Sequence, residues 1–140
     1  MPETKSISEK MGIKQNSRTI FIHAPADLLP LLHVPELNIS SKLSGNFDYI
    51  HVFATTLKEL DQHFNKLKTH LNPTGMMWIS WPKAKQLGTD LNIKNVIKTG
   101  YDHGLVESKN LSLNSTWTAL KFTHPKKNKI YNNSYGKLKI

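Results

Sequence analysis

The 140-residue chain contains no cysteine. This excludes disulfides, thiolate metal centres and a cysteine nucleophile, and is compatible with the cytoplasm. No apolar run approaches the ~20 residues needed to cross a bilayer. The first ten residues hold no hydrophobic stretch of the kind a signal peptide requires. A cytoplasmic protein without membrane contact is therefore expected. Glycine-dependent motifs are missing too. No glycine-rich stretch could cradle a phosphate, and Ser80 lacks the flanking glycines that expose a catalytic serine. The seven histidines (His23, His33, His51, His63, His70, His103 and His124) form no His-x-x-x-His and no Glu-x-x-His pair. His63 and His70 share a helix face but stand two turns apart, so no metal centre is expected.

Acidic residues are absent after Leu120, whereas six lysines fall there. Residues 1–120 carry thirteen basic against ten acidic side chains, a balance of +3 within the total of +9. The charge excess belongs to a C-terminal tail rather than to the domain. Such a tail reads first as a solubilising segment, with non-specific nucleic-acid binding as the alternative.

What is present is an alternation of strand and helix patterns. Residues 1–17 form a polar segment with a short helix over Ser6–Met11 that Gly12 can end. Arg18–His23 is a β-branched and aromatic strand. Pro25 suits a helix start, and a short irregular helix through Leu28–Leu32 is expected to stop before Pro35. A second, short strand is expected over Leu37–Ser40, and a third over Asp48–Phe53. Leu57, Leu60, Phe64, Leu67 and Leu71 recur at steps of three and four, which predicts an amphipathic helix capped by Thr55 or Thr56. Asn72–Gly75 reads as the turn that stops it. Met76–Trp81 is nearly all apolar, as in a strand covered on both faces. Thr89–Asp90 can cap a helix through Ile97 that closes at Gly100. Leu105–Lys109 and Trp117–Phe122 then suit an antiparallel pair.

This order predicts an α/β three-layer sandwich. Its mostly parallel, Rossmann-like sheet ends in an antiparallel strand pair over residues 18–123, followed by a mobile basic tail at 124–140. Right-handed crossovers would bring the ends of the first, third and fourth strands to one edge, where α/β folds hold ligands. The candidate ligand-binding residues there are Ala24, Asp27, Thr55, Thr56, Trp81, Lys83, Lys85 and Asp90. A lysine at that edge suits phosphate or carboxylate, and a neighbouring indole suits a ring. Equally, Trp81 can cap the core while Lys83 is solvated, and Asp27 and Asp90 can serve as helix-start residues.

Several segments carry a resemblance. They are Lys10–Lys14, His23-Ala24-Pro25, Phe47–Ile50, Leu71–Gly75, Trp78–Lys83, Thr89-Asp90, Gly104–Val106 and Thr116–Phe122. Over residues 6–123 the chain resembles the bacterial family catalogued as domain of unknown function 3052. That family looks like a reduced form of the S-adenosylmethionine methyltransferase fold. The resemblance implies the fold but no activity. It also exposes two departures: methyltransferases of this type place a glycine-rich loop after the first strand and an acid after the second. Here those positions read Ile22–Asp27 and Ile39–Lys42. The expectation is therefore a small-ligand or protein-binding module that is not an ordinary methyltransferase and whose cofactor is unknown. The alternative is an enzyme with an altered cofactor mode at the same edge.

Overall fold

In the computed structural model, which describes residues 6–126, 129 and 131, six strands form one sheet in the order β2-β1-β3-β4-β6-β5. The strands are β1 (Arg18–Ile22), β2 (Asn38–Ile39), β3 (Phe47–Phe53), β4 (Leu71–Pro82), β5 (Val106–Ser112) and β6 (Trp117–Thr123). The first four are mutually parallel; β6 runs antiparallel to β4 and to β5. Helices α1 (Ile7–Met11) and α2 (Leu29–Leu32) pack with Tyr49, Phe53, Met76 and Trp78 on one face. On the other face α3 (Leu57–Leu67) and α4 (Ile93–Asp102) bury Leu60, Phe64, Val96 and Tyr101 against Ile50, Val52 and Phe122. This is the three-layer sandwich the pattern predicts.

The central strands β3 and β4 are apolar on both faces because both faces are covered. One polar chain crosses them. Tyr49 Oη meets His51 Nδ1 at 2.6 Å, and His51 Nε2 meets Ser80 Oγ at 2.6 Å. All three residues have no solvent exposure, and the His51 ring also stacks on Phe53 at 4.2 Å. A neutral imidazole donates from one nitrogen and accepts at the other, so both hydroxyls are satisfied in either tautomer. Burial pushes the His51 pKa down to about 3 and raises that of Tyr49 well above its ordinary value.

Four details differ from the sequence expectation. Asn72–Gly75 is not a turn outside the sheet but an irregular stretch of β4, where the register slips between Phe47↔Leu71 and Tyr49↔Met76. Asn72 Nδ2 donates to Asp48 Oδ1 (2.7 Å), and a Cβ on Gly75 would lie 2.9 Å from the Phe47 carbonyl oxygen, so the backbones approach too closely for a side chain. Gly100 does not end α4; it lies inside it, and a Cβ there would meet the Phe122 ring at 2.1 Å. Gly104, with φ 83°, supplies the left-handed exit instead. Leu57 starts α3 at 36% exposure rather than joining its buried face. β5 runs on to Ser112, past the expected end at Lys109.

Most of the expected basic tail, including Lys127, Lys137 and Lys139, lies outside the described residues. Of the remainder, His124 Nε2 donates to the Leu71 carbonyl (2.9 Å) and Tyr131 packs against the core. These contacts hold two positions of the tail to the domain.

The buried imidazole gives a pH dependence. Native His51 takes up a proton only near pH 3, whereas an unfolded histidine does so near ~6.5. Between those values the unfolded chain binds more protons, so the His51 contribution is complete above about pH 6.5 and is lost as pH falls toward 3. Urea midpoints at pH 7.5 and 5 should show this loss in the wild type and a flatter slope in His51→Gln. An equal slope in both would assign the acid sensitivity to other groups.

Candidate functional site

The parallel register sets the ends of β1, β3 and β4 side by side, at Ile22, Phe53 and Trp81-Pro82. The hairpin between β5 and β6 reaches the same edge, since Pro82 pairs with Trp117 and Ser112 with Thr118. The chain leaves β4 through Lys83–Gly88, which turns tightly: Ala84, Lys85, Leu87 and Gly88 all have positive φ (48°, 62°, 55° and 69°). Three of these are non-glycine residues in a conformation that costs of order 1 kcal/mol each. The segment is tied down at both ends. Lys83 N–H donates to the Thr116 carbonyl (2.7 Å), Lys83 Nζ donates to Ser112 Oγ, and Gln86 Nε2 donates to the Ser115 carbonyl (3.1 Å). Thr89 Oγ1 donates to the Thr55 carbonyl (2.5 Å) and accepts from Leu91 N–H (3.0 Å).

Between this segment, the start of α4 and the ends of β5 and β6 lies an open pocket of about 540 Å³. Trp81, Leu91 and Ile93 supply apolar lining, Asn92, Asn110, Ser112 and Thr118 supply amide and hydroxyl groups, and Lys83 and Lys85 supply positive charge. Trp81 is 4% exposed, so it serves the core and borders the pocket at once. The N-terminus of α4 faces this region with its own cap complete. Asn92 Oδ1 accepts from Asn95 N–H, and Asn95 Oδ1 accepts from Asn92 N–H, both at 2.9 Å.

The eight residues singled out from the sequence thus divide. Trp81, Lys83, Lys85 and Asp90 line the pocket. Thr55 contributes its carbonyl to the Thr89 hydroxyl, and Thr56 caps α3 by accepting from Glu59 N–H (3.2 Å). Ala24 packs against the apolar cluster on the α1/α2 face. Asp27 is exposed, and α2 begins at Leu29 with Leu28 at the cap position and no side-chain cap, so Asp27 is not the helix-start residue expected. Asp90 does cap a helix, but not the one that follows it. Its Oδ1 accepts from Leu57 N–H (2.8 Å) at the start of α3, while Asn92 caps α4. The anticipated Thr89-Asp90 cap instead clips the two loops of the edge together. Lys83 bonds Ser112 rather than standing free in solvent.

A second group at this edge escapes a scan for paired histidines. His23 is not the last strand residue but the first residue past β1, with φ 57°. Its Nδ1 lies 3.0 Å from Glu59 Oε1, and His63 Nε2 lies 3.5 Å from the same oxygen. Burial lowers the His63 pKa, reinforced by His23 and opposed by Glu59. The Glu59-x-x-x-His63 spacing was visible in the sequence as two side chains on one helix face. The approach of His23 was not, because it depends on the β1–β3 pairing. Asn110, Ser112 and Thr118 likewise gave no local signal, since they reach the pocket through the register of β5 with β6.

No family model matches this chain, and no curated protein matches it. Solved structures do. The ribosomal protein L11 methylase of Lactobacillus delbrueckii subsp. bulgaricus aligns over 85% of this chain and 76% of its own, at 10% identity and a TM-score of 0.59. Magnesium protoporphyrin IX methyltransferase from Synechocystis PCC 6803, solved with bound SAM, aligns over 85% and 74%, at 9% identity and 0.59. The N-methyltransferase NodS of Bradyrhizobium japonicum WM9 aligns over 83% and 90%, at 12% identity and 0.57. The chain has a methyltransferase-like Rossmann fold. At these identities the likeness concerns the fold alone.

The Asp90 cap makes a direct prediction. Asp90→Ala should lower stability by about 1 kcal/mol through loss of the α3 cap, and Asp90→Asn should recover part of it. Thermal denaturation of the three proteins checks this. Equal midpoints for Asp90→Ala and wild type would mean that the bond to Leu57 contributes nothing.

Proposed function

We propose that this chain is a small-ligand-binding module on a methyltransferase-like scaffold, and that its ligand is a small aromatic anion held in the pocket beside Trp81. The pocket itself carries the reading. Its volume of about 540 Å³ falls within the range of small-molecule sites, and it combines an apolar wall with two lysines and convergent amides. A planar apolar body can lie against Trp81, Leu91 and Ile93 while an anionic group meets Lys83 and Lys85. The backbone strain at Ala84, Lys85 and Leu87 falls on the segment that presents those lysines, which is where such strain tends to be kept.

The end of β1 supports the second half of the proposal, that S-adenosylmethionine is not bound in the manner of ordinary methyltransferases. The resemblance calls there for a glycine loop whose bare backbone lets a cofactor approach. His23 instead puts its imidazole against Glu59, over the first turn of α3, and Ala24 and Pro25 follow it. After β2, Ser40 is engaged with Lys42: its Oγ donates to the Lys42 carbonyl (2.8 Å) and accepts from the Lys42 N–H (3.2 Å). No carboxylate follows that strand to hold ribose hydroxyls. The residues present do not fit the cofactor. Membership of the domain of unknown function 3052 family, proposed from the segments quoted above, is consistent with a scaffold of this kind.

Calorimetry tests both halves. Phenyl phosphate should bind with one site per chain, and the double variant Lys83→Met/Lys85→Met should weaken it at least about tenfold. S-adenosylmethionine and S-adenosylhomocysteine should give no saturable heat. Saturable S-adenosylmethionine binding abolished by Ala24→Trp would establish the cofactor-using alternative. Phenyl phosphate binding indifferent to the two lysines would remove the pocket assignment.

A further inference from the structure

His23, Glu59 and His63 meet beside the first turns of α3, and none of them lines the pocket at Trp81. One ligand atom from each lies within 4.8 Å of the other two. The set is two imidazoles and a carboxylate, the donors that hold zinc in many sites with three protein ligands. Glu59 and His63 are placed by the helix, one turn apart on a single face, and the turn beneath them is fixed by the Thr56 cap. His23 is placed by the end of β1 and by a left-handed backbone that histidine adopts more readily than most residues.

A proton shared between His23 and Glu59 explains their 3.0 Å contact without any metal. It does not explain His63. Its Nε2 has no solvent exposure and no hydrogen-bond partner, since the 3.5 Å approach to Glu59 lacks hydrogen-bond geometry. A buried nitrogen 3.5 Å from a carboxylate, with no hydrogen bond to it, is placed to offer its lone pair to an ion held between the two.

We propose that His23, Glu59 and His63 bind a single first-row divalent cation, zinc being the ion this donor set suits best, with water or an anionic oxygen ligand in the remaining positions. Ligand atoms around one tetrahedral ion at ~2.0–2.1 Å stand about 3.4 Å apart. The two contacts to Glu59, at 3.0 and 3.5 Å, already match that spacing. The two imidazoles, now edge to face at 5.2 Å between ring centres, have to close further. The movement falls to His23, whose side chain is 64% exposed, whereas that of His63 is 18% exposed on the helix. The same exposure leaves the ion open to solvent on one side. Three protein ligands with an open position are the form taken by exchangeable, reaction-supporting zinc rather than by closed structural zinc. The donors are harder than a thiolate set and carry one negative charge, so zinc, cobalt and nickel are the ions to expect, not calcium or magnesium.

The test is titration of the full, tag-free chain with zinc by calorimetry and with cobalt by visible absorption. One ion per chain is expected, with cobalt bands of four- or five-coordinate type. Glu59→Gln and His63→Ala should each weaken binding at least about tenfold. His23→Asn is the decisive variant, because the side chain is exposed and asparagine tolerates the left-handed backbone, so the fold should survive; it too should lose at least about tenfold. His70→Gln, outside the cluster, should bind as the wild type does. Imidazole nitrogen shifts in NMR spectra should move for His23 and His63 on zinc addition. Absence of binding, binding unchanged in His23→Asn, or binding equally weakened in His70→Gln would overturn the assignment.

Discussion

The register of β3 against β4 is the constraint on which the rest of the molecule depends, and the buried chain Tyr49–His51–Ser80 is what makes it specific. Apolar packing alone tolerates many alignments of two strands covered on both faces. Three polar groups without solvent exposure do not, since each must find its partner or forfeit roughly 1–3 kcal/mol. A one-residue slip of β3 would send Tyr49 and His51 together to the opposite face, among Leu60, Phe64 and Val96. It would break the His51–Ser80 bond, the link of the chain that crosses between the strands, leaving the Ser80 hydroxyl unpaired. The hydrogen bonds thus select one alignment from the several that hydrophobic burial would accept.

That alignment decides which loops meet. With Phe53 opposite Ser80, the Ala54–Thr56 loop lies beside the exit from β4, and Ala54 N–H donates to the Ser80 carbonyl (3.0 Å). Thr89 and Asp90 complete the junction by bonding Thr55 and Leu57 across it. The same junction serves both proposed sites. On one side the strained Lys83–Gly88 segment presents lysines toward an apolar wall. On the other, the capped start of α3 holds Glu59 and His63 facing His23. The sheet is methyltransferase-like in fold, and along its edge the chain leaves β1 through a histidine while the pocket opens beside the end of β4.

Local patterns made the scaffold legible. Leu60, Phe64 and Leu67 announced the buried face of α3, although Leu57 is exposed at its start and Leu71, expected on the same face, opens β4. The near-continuous run Met76–Trp81 announced a central strand, because periodicity reflects burial directly. The errors arose where a residue answered to a distant partner. Gly100 looked like a helix end but is small because the Phe122 ring occupies the space of its Cβ. Asn72–Gly75 had the composition of a turn but stays in the sheet through Asp48 and the Phe47 carbonyl. Asp90 had the character of a cap, and only the tertiary structure shows whose. The site was half legible for the same reason. Trp81, Lys83 and Lys85 follow one strand in sequence, whereas Asn110, Ser112 and Thr118 join them through strand pairing, as His23 joins Glu59.

The place along this edge where a ligand binds is read out residue by residue in the amide spectrum. Backbone amide shifts can be recorded for the full chain with phenyl phosphate and, separately, with S-adenosylmethionine. The expected result is a saturable phenyl phosphate response concentrated at Lys83–Ile93 and Asn110–Thr118, with residues 22–27 and 54–56 still under S-adenosylmethionine. Saturable shifts in those latter loops on adding S-adenosylmethionine, with the Lys83–Ile93 segment silent toward phenyl phosphate, would contradict it.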